Sequence, residues 1–392
     1  MTKKNRIIFV SKLVFFTEEN ELIEDNLKII DLFEKEDVSL AIIARHATIQ
    51  VLKKEIPKQY ENKIMLVNRS PHTIEQVKVS KEETNFGMVG IVEEDAIFSF
   101  NCKIPLFNPE KMSSGRVIIA DKVKKYGLPI NEFQDVIDCL NAFEIHKENY
   151  FHMNYGNEFN VISLNNANSY YRPENEKRIK QIFETNLKGD TSLRDQRILL
   201  LLLFHLINEV TTNPYYKRVD YWGTFPSSNP DNTSTSVSFL KEAVRVIING
   251  KPRNGPEILI RTMPMKSKHS SGALRLTNKS DKDFDTLIVN PILIDRIKGK
   301  VICIIDDYIT NGYSAEAAKH LLFAAGAKEV IFLSFGKFGK KYYSTNYEIK
   351  GDVSENYSYQ FVNESLYGDS YEGQKYYNER NDIEILNFAD LV

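Results

Sequence analysis

The chain has 392 residues, 42% of them hydrophobic and 27% charged, with a formal net charge of −2. That is enough apolar material for two or three packed domains, and the near-neutral charge excludes a broad basic field of the kind that binds nucleic acid without sequence preference. Three widely spaced cysteines, Cys102, Cys139 and Cys303, exclude a disulfide framework and a cysteine metal cluster and fit a reducing, cytoplasmic setting. The Met-Thr-Lys-Lys-Asn-Arg start runs into a short strand and then acids, without the long apolar segment of a signal peptide.

Residues 1–110 alternate strand-like runs (6–10, 40–44, 63–67, 87–92) with helical spacing at 21–33 and 46–54, the pattern of βαβ units on a parallel sheet. The acids that close 87–95, the tail at 100–109 and the strand end at 41–47 make this segment resemble the haloacid-dehalogenase fold. The resemblance implies a nucleophilic Asp in an Asp-x-Asp loop after the first strand, where this chain has Ser11-Lys12-Leu13, and a Ser or Thr where it has Ala44. Asp95 is then an acid without partners, and no carboxylate nucleophile or magnesium site can be assembled. A catalytically silent haloacid-dehalogenase-like or plain Rossmann-like domain is expected.

Residues 111–214 are expected to be a mostly helical connector or cap. Amphipathic helices fit 131–143 and 173–184, and a short strand fits 160–164. The apolar run 198–207 is too short to span a bilayer, so it is expected to be a core helix, with His205 a hydrogen-bonded core histidine. Residues 165–172 form a loop rich in Asn and Tyr.

From residue 215 a strand (218–225) ends in Pro226-Ser227-Ser228-Asn229. A helix (239–248) stops at Asn249-Gly250, and a strand (257–260) opens a long polar segment at 261–290. Then Val301-Ile302-Cys303-Ile304-Ile305, apolar throughout as a strand covered on both faces must be, leads into Asp306 and Asp307. Open α/β sheets bind ligands at the carboxyl ends of their strands. Two carboxylates there, acceptors only, suit a sugar diol. Thr310-Asn311-Gly312-Tyr313-Ser314 follows, with a glycine that lets backbone N–H groups approach an anion and hydroxyls at both ends. A helix over 315–325 aims its N-terminal dipole at the same place. The whole unit is a site for a sugar carrying a phosphate.

This stretch resembles the signature by which type I phosphoribosyltransferases bind phosphoribosyl pyrophosphate (PRPP): an apolar strand, two acids and a Thr-Thr-Gly-x-Ser loop. Asn311 stands in place of the commoner Thr or Ser, and Tyr313 is bulkier than usual. The order of elements over 215–340 is also similar to that family's core.

The resemblance implies that Thr310, Asn311, Gly312, Tyr313 and Ser314 bind the 5-phosphate and that Asp306 and Asp307 are the catalytic acids. Pro226, Ser227, Ser228 and Asn229, with Arg261 and Arg275, would receive pyrophosphate. Lys266 and Lys268, near His269, would close a catalytic lid. Magnesium would arrive with PRPP, held by the ligand's own oxygens and not directly by the protein.

The expected whole is an α/β chain: two Rossmann-like parallel-sheet domains joined by the helical region, with a Tyr-rich hood or tail over 341–392. The expected activity is phosphoribosyl transfer to a nucleobase or amine. Two other functions fit the same motif. One is a non-catalytic PRPP- or nucleotide-sensing module. The other is an effector of a bacterial anti-phage system that meets a protein or nucleic-acid partner through 111–214. A homo-oligomer is compatible with all three, and no membrane partner is expected.

Overall fold

The computed structural model describes residues 4–112, 117–143, 149–156, 158–188, 194–250, 255–265, 279–367, 375–377 and 391–392. Lys266, Lys268, His269 and Arg275 lie outside the described residues.

The chain has a mixed α/β fold. Strands β1 (Asn5–Ser11), β2 (Ser39–Ala44), β3 (Ile64–Asn68), β4 (Thr84–Val89), β5 (Leu106–Asn108) and β6 (Leu128–Pro129) form one sheet in the order β3-β2-β1-β4-β5-β6. Every pairing in it is parallel. The continuous apolar runs explain this, since Ile8, Val10, Ile42, Ile43 and Val89 are fully buried between helices that cover the sheet. The sheet runs past residue 110, because β6 still pairs with β5 (Phe107 opposite Leu128).

The second sheet contains β7 (Phe151–Tyr155), β8 (Phe159–Asn166), β9 (Tyr221–Thr224), β12 (Val301–Ile309), β13 (Glu329–Lys337) and β16 (Lys375–Tyr377), in the order β16-β7-β8-β13-β12-β9. β8, β13, β12 and β9 run parallel, and β7 and β16 add an antiparallel edge. Two antiparallel pairs stand apart from it: β10 (Leu259–Arg261) with β11 (Leu287–Val289), and β14 (Tyr342–Gly351) with β15 (Tyr357–Tyr367). The polar segment 261–290 therefore leaves through β10 and returns through that strand's own partner.

The stretch 111–214 is not only a helical connector. β6 belongs to the first sheet, and β7 and β8 belong to the second. β8 is buried along its whole length although half of its residues are polar. Each of its four polar side chains finds a partner, as burial requires. Ser163 Oγ lies 2.6 Å from Ser334 Oγ, and Asn165 donates to Phe335 O at 3.1 Å. The Asn165 amide also lies 3.0 Å from Nε2 of the buried His205. That histidine sits on the helix Gln196–Thr212, whose Phe204 packs on Phe107 of the first sheet at 5.2 Å between ring centroids. Among the described residues no helix is long and apolar enough to cross a membrane.

The helix Tyr313–Ala324 packs against the β14–β15 hairpin through buried polar groups. Glu316 accepts from Tyr342 Oη at 2.7 Å and from Thr345 N at 2.8 Å, and it pairs with Lys319. Beside them His320 Nε2 donates to Thr345 O at 2.8 Å. Burial, aided by the Lys319 charge, lowers its pKa from 6.5 to about 4. The folded state therefore resists a proton that the unfolded chain takes up, and stability present above pH 6.5 is lost as pH falls toward 4. The slope from this group is at most about 1.4 kcal/mol per pH unit. Chemical denaturation across that range should show a shallower pH dependence in His320→Gln than in the parent. An identical slope would remove His320 from the acid response.

Candidate functional site

β12 lies between β13 and β9, so its first five residues are buried on both faces and its end must emerge at the sheet's carboxyl edge. The strand runs on to Ile309, and Asp306 and Asp307 are half-buried within it. Asp307 N donates to Asp306 Oδ1 at 2.8 Å and Tyr308 N to Asp307 Oδ1 at 2.5 Å, which fixes both carboxylates against the backbone. Burial, with the Asp307 and Glu184 carboxylates nearby, pushes the Tyr308 hydroxyl well above its ordinary pKa.

The loop after β12 turns at Gly312, whose φ is +91°, and the helix begins directly at Tyr313. Four consecutive carbonyls of this loop accept hydrogen bonds from inside the protein. Thr310 O takes Lys337 Nζ at 2.8 Å, and Asn311 O takes Tyr343 N at 2.9 Å. Gly312 O takes Glu316 N at 2.9 Å, and Tyr313 O takes Ser280 Oγ at 2.9 Å. Because a peptide's C=O and N–H point in opposite directions, tethering the carbonyls inward turns the amides outward. The result is a backbone concavity suited to an anion, completed by the first N–H groups of the helix.

The loop after β9 is built the same way. Ser227 O accepts from Arg261 Nε at 2.7 Å, Pro226 O from Arg261 Nη2 at 3.5 Å and Ser228 O from Met265 N at 2.8 Å. Phe225 N is held by Ile305 O at 2.9 Å, so the loop is pinned to β12 beside the acids.

Both loops and both acids line one cavity of about 500 Å³. Its lining includes five cationic side chains, Lys188, Arg194, Arg261, Lys279 and Lys282, against two carboxylates, Asp306 and Asp307. Lys188 pairs with Glu184 at 3.1 Å and Lys279 with Glu364 at 3.4 Å, so part of that charge is shared with acids outside the lining. Lys188 also lies over the Tyr308 ring, 4.6 Å from its centroid. Arg261 pairs likewise with Asp283, so the lining cations roughly balance the acids around them, and it is the two turned-out amide loops that favour a ligand with more than one anionic group.

Thus Pro226, Ser227, Ser228, Asn229, Asp306, Asp307 and the five residues Thr310, Asn311, Gly312, Tyr313 and Ser314 come together. Arg261 borders the same cavity, but its side chain is buried at 1% exposure. The guanidinium is ion-paired with Asp283 at 3.2 Å and also bonds Thr286 Oγ1. Together with the two loop carbonyls these partners engage its donors, so Arg261 shapes the 225–229 loop. Lys188, Arg194, Lys279, Lys282 and Lys337 carry no local sequence signal. The first four enter the cavity from other helices and loops, and Lys337 backs the phosphate loop from β13.

Lys337 is fully buried and also donates to Lys341 O at 2.9 Å, so it braces the loop from behind without lining the cavity. Lys337→Met is expected to lower affinity for a phosphorylated ligand about tenfold, the equivalent of one hydrogen bond to a charged donor. Competition by inorganic phosphate should weaken in parallel. Unchanged affinity in a folded variant would show that the loop keeps its shape unaided.

At the first sheet, Asp95 is fully buried in the first turn of the helix Glu93–Cys102. Its Oδ2 accepts from Ile91 N at 2.9 Å and Val92 N at 3.0 Å, and Arg69 pairs with Oδ1. The carboxylate caps the turn after β4.

No protein-family model and no curated protein matches the chain. Among solved structures, the "GsuK channel bound to NAD" aligns at 10% identity with a TM-score of 0.19, over 84% of this chain and 62% of that one. A second structure, "GsuK Channel", aligns at 11% identity, again with a TM-score of 0.19 and the same coverages of 84% and 62%. The chain spans less than two thirds of these channel chains, and a likeness at that TM-score carries no argument.

Proposed function

We propose that the chain binds PRPP and transfers its phosphoribosyl group to a nucleobase or amine, releasing pyrophosphate. The observation that carries this is the pairing of two loops with inward-tethered carbonyls across one cavity, with Asp306 and Asp307 between them.

The loop 310–314 takes the 5-phosphate on its amides and hydroxyls. Asp306 and Asp307 accept from the ribose hydroxyls and stabilise positive charge as the anomeric C–O bond breaks. Pyrophosphate leaves with that bond's electron pair and is held by the 225–229 amides and the lining cations. The acceptor nitrogen forms the new C–N bond and then loses its proton. Magnesium would arrive on the ligand's own phosphate oxygens and would supply charge neutralisation on the leaving group. Arg261 and Lys337 position the two loops. Lys266, Lys268 and Arg275, between Met265 and Lys279 in sequence, are proposed to close over the departing pyrophosphate.

Calorimetry with PRPP and magnesium, followed by a pyrophosphate-release assay over a panel of bases and amines, tests this. Saturable binding with release supports transfer. Binding without release on any acceptor supports a sensing module instead, and no binding overturns the assignment of the site. In a transferase, replacing Lys266 and Lys268 with Ala should lower turnover more than PRPP affinity.

The first sheet is proposed to be catalytically silent. Ser11-Lys12-Leu13 offers no nucleophilic carboxylate, and Asp95 is engaged by backbone amides and Arg69. The full chain should therefore leave a simple aryl phosphomonoester intact with magnesium present. Hydrolysis that survives Asp306→Asn/Asp307→Asn would locate an active centre in the first sheet.

A further inference from the structure

A second cavity, of about 150 Å³, lies where the first sheet meets the helices Gln196–Thr212 and Ser236–Asn249. Phe86, Phe100, Leu106, Leu203 and Phe204 make much of its wall apolar. Lys4, Lys81 and Lys103 line it as well.

These three ammonium groups are linked to one another through backbone and not through acids. Lys4 donates to Lys81 O at 3.3 Å, and Lys81 to Lys103 O at 2.5 Å. Lys103 donates to Ile248 O at 2.7 Å and also to Ile247 O, at the end of the helix Ser236–Asn249. Each ammonium carries three N–H donors, so these bonds leave donors over on all three. Among the described residues, no carboxylate pairs with any of them, and the charges acting on Lys81 and Lys103 are those of other lysines and Cys102. Burial lowers both lysines to about 8 and raises the Cys102 thiol to about 12, so the thiol stays neutral and supplies no counter-charge. Asn208 adds a buried side-chain N–H with no acceptor among the described residues, and it lines the same cavity.

Cations partly withdrawn from water beside apolar walls are costly unless an anion joins them, and an unpartnered amide N–H asks for an acceptor. We propose that this cavity binds a small apolar carboxylate, an aromatic or branched acid. The carboxylate would lie against Lys81, Lys103 and Asn208, with the hydrocarbon body against the Phe and Leu wall. A cavity of this volume accommodates a molecule of about benzene's size. The proposal is independent of the function assigned to the larger cavity, which shares no lining residue with this one.

The test is calorimetric titration of the full chain with benzoate and with benzyl alcohol, its neutral counterpart in shape. Benzoate is expected to bind saturably with a Kd of about 1 mM or below, and benzyl alcohol at least about tenfold more weakly. Lys81→Gln, whose amide can still donate to Lys103 O, is expected to weaken benzoate at least about tenfold and to leave benzyl alcohol unchanged. Thermal unfolding of the variant checks that it is folded. Lys4→Gln provides a second variant and is expected to weaken benzoate to a smaller extent. Absence of saturable benzoate binding to the parent, equal binding of benzoate and benzyl alcohol, or parent affinity in both variants would each overturn the proposal.

Discussion

Replacing Asp306 and Asp307 together with Asn is expected to weaken PRPP binding about 100-fold or more, with little change in thermal unfolding. The two carboxylates are half-buried and follow the five buried residues that open β12, so the substitution leaves that packed half of the strand intact. An Asn at each position keeps an oxygen that can accept from the next backbone N–H, as Oδ1 of Asp306 and of Asp307 now does. What changes is charge. Hydrogen bonds to charged groups contribute about 1.5–3 kcal/mol each, and two of them exceed the 2.7 kcal/mol or so that corresponds to 100-fold. Calorimetry on parent and variant with magnesium present reads the difference. Parent affinity in the folded double variant would remove the pair from the ligand's surroundings.

Gly312→Val should abolish phosphate-ligand binding and lower stability by about 1–3 kcal/mol. Two independent causes act at this position. The φ of +91° lies in the left-handed region that β-branched residues avoid. A Cβ placed there would also lie 2.4 Å from the Tyr342 ring, well inside contact distance. The causes can be separated. In a Tyr342→Ala background, where the ring is gone and the unfavourable φ remains, Gly312→Ala should cost less stability than it does in the parent. Binding should stay weak, because the amides of the loop would still be displaced. A folded Gly312→Val protein with parent affinity would rule out the loop as the phosphate cradle.

The phosphate loop and its acids were legible because strand, acids, glycine and helix are contiguous, and each has a local chemical reason. The second wall of the cavity was only partly legible. Pro226, Ser227, Ser228 and Asn229 could be placed by element order, but nothing local to Lys188, Lys279 or Lys282 marks them as facing the same space. Arg261 reads from the sequence as a pyrophosphate-binding cation because its partner Asp283 is 22 residues away, beyond the reach of a local pattern. β8 was legible only as a short strand within a helical region. Its alternation of apolar residues with Asn and Ser suggests a half-exposed strand, whereas Ser334, Phe335 and His205 make its polar groups compatible with full burial. The first sheet's extent was missed for a different reason: β5 and β6 have three and two residues, too few for a periodic signal.

Apart from Ser280, the residues that shape the loop carrying Gly312 follow it in the chain: Lys337, Tyr342, Tyr343 and, through Glu316, Thr345. Synthesis runs from the N-terminus, and domains fold as their residues emerge. The first sheet is complete once Pro129 is available, but the anion cradle lacks most of its backing until about residue 345 has left the ribosome. A chain cut short between Ala324 and Lys337 would contain every residue of the motif and still lack the braces that orient its amides. The proposed ligand binding at this site thus requires the chain to have been made as far as about residue 345, well beyond the motif itself.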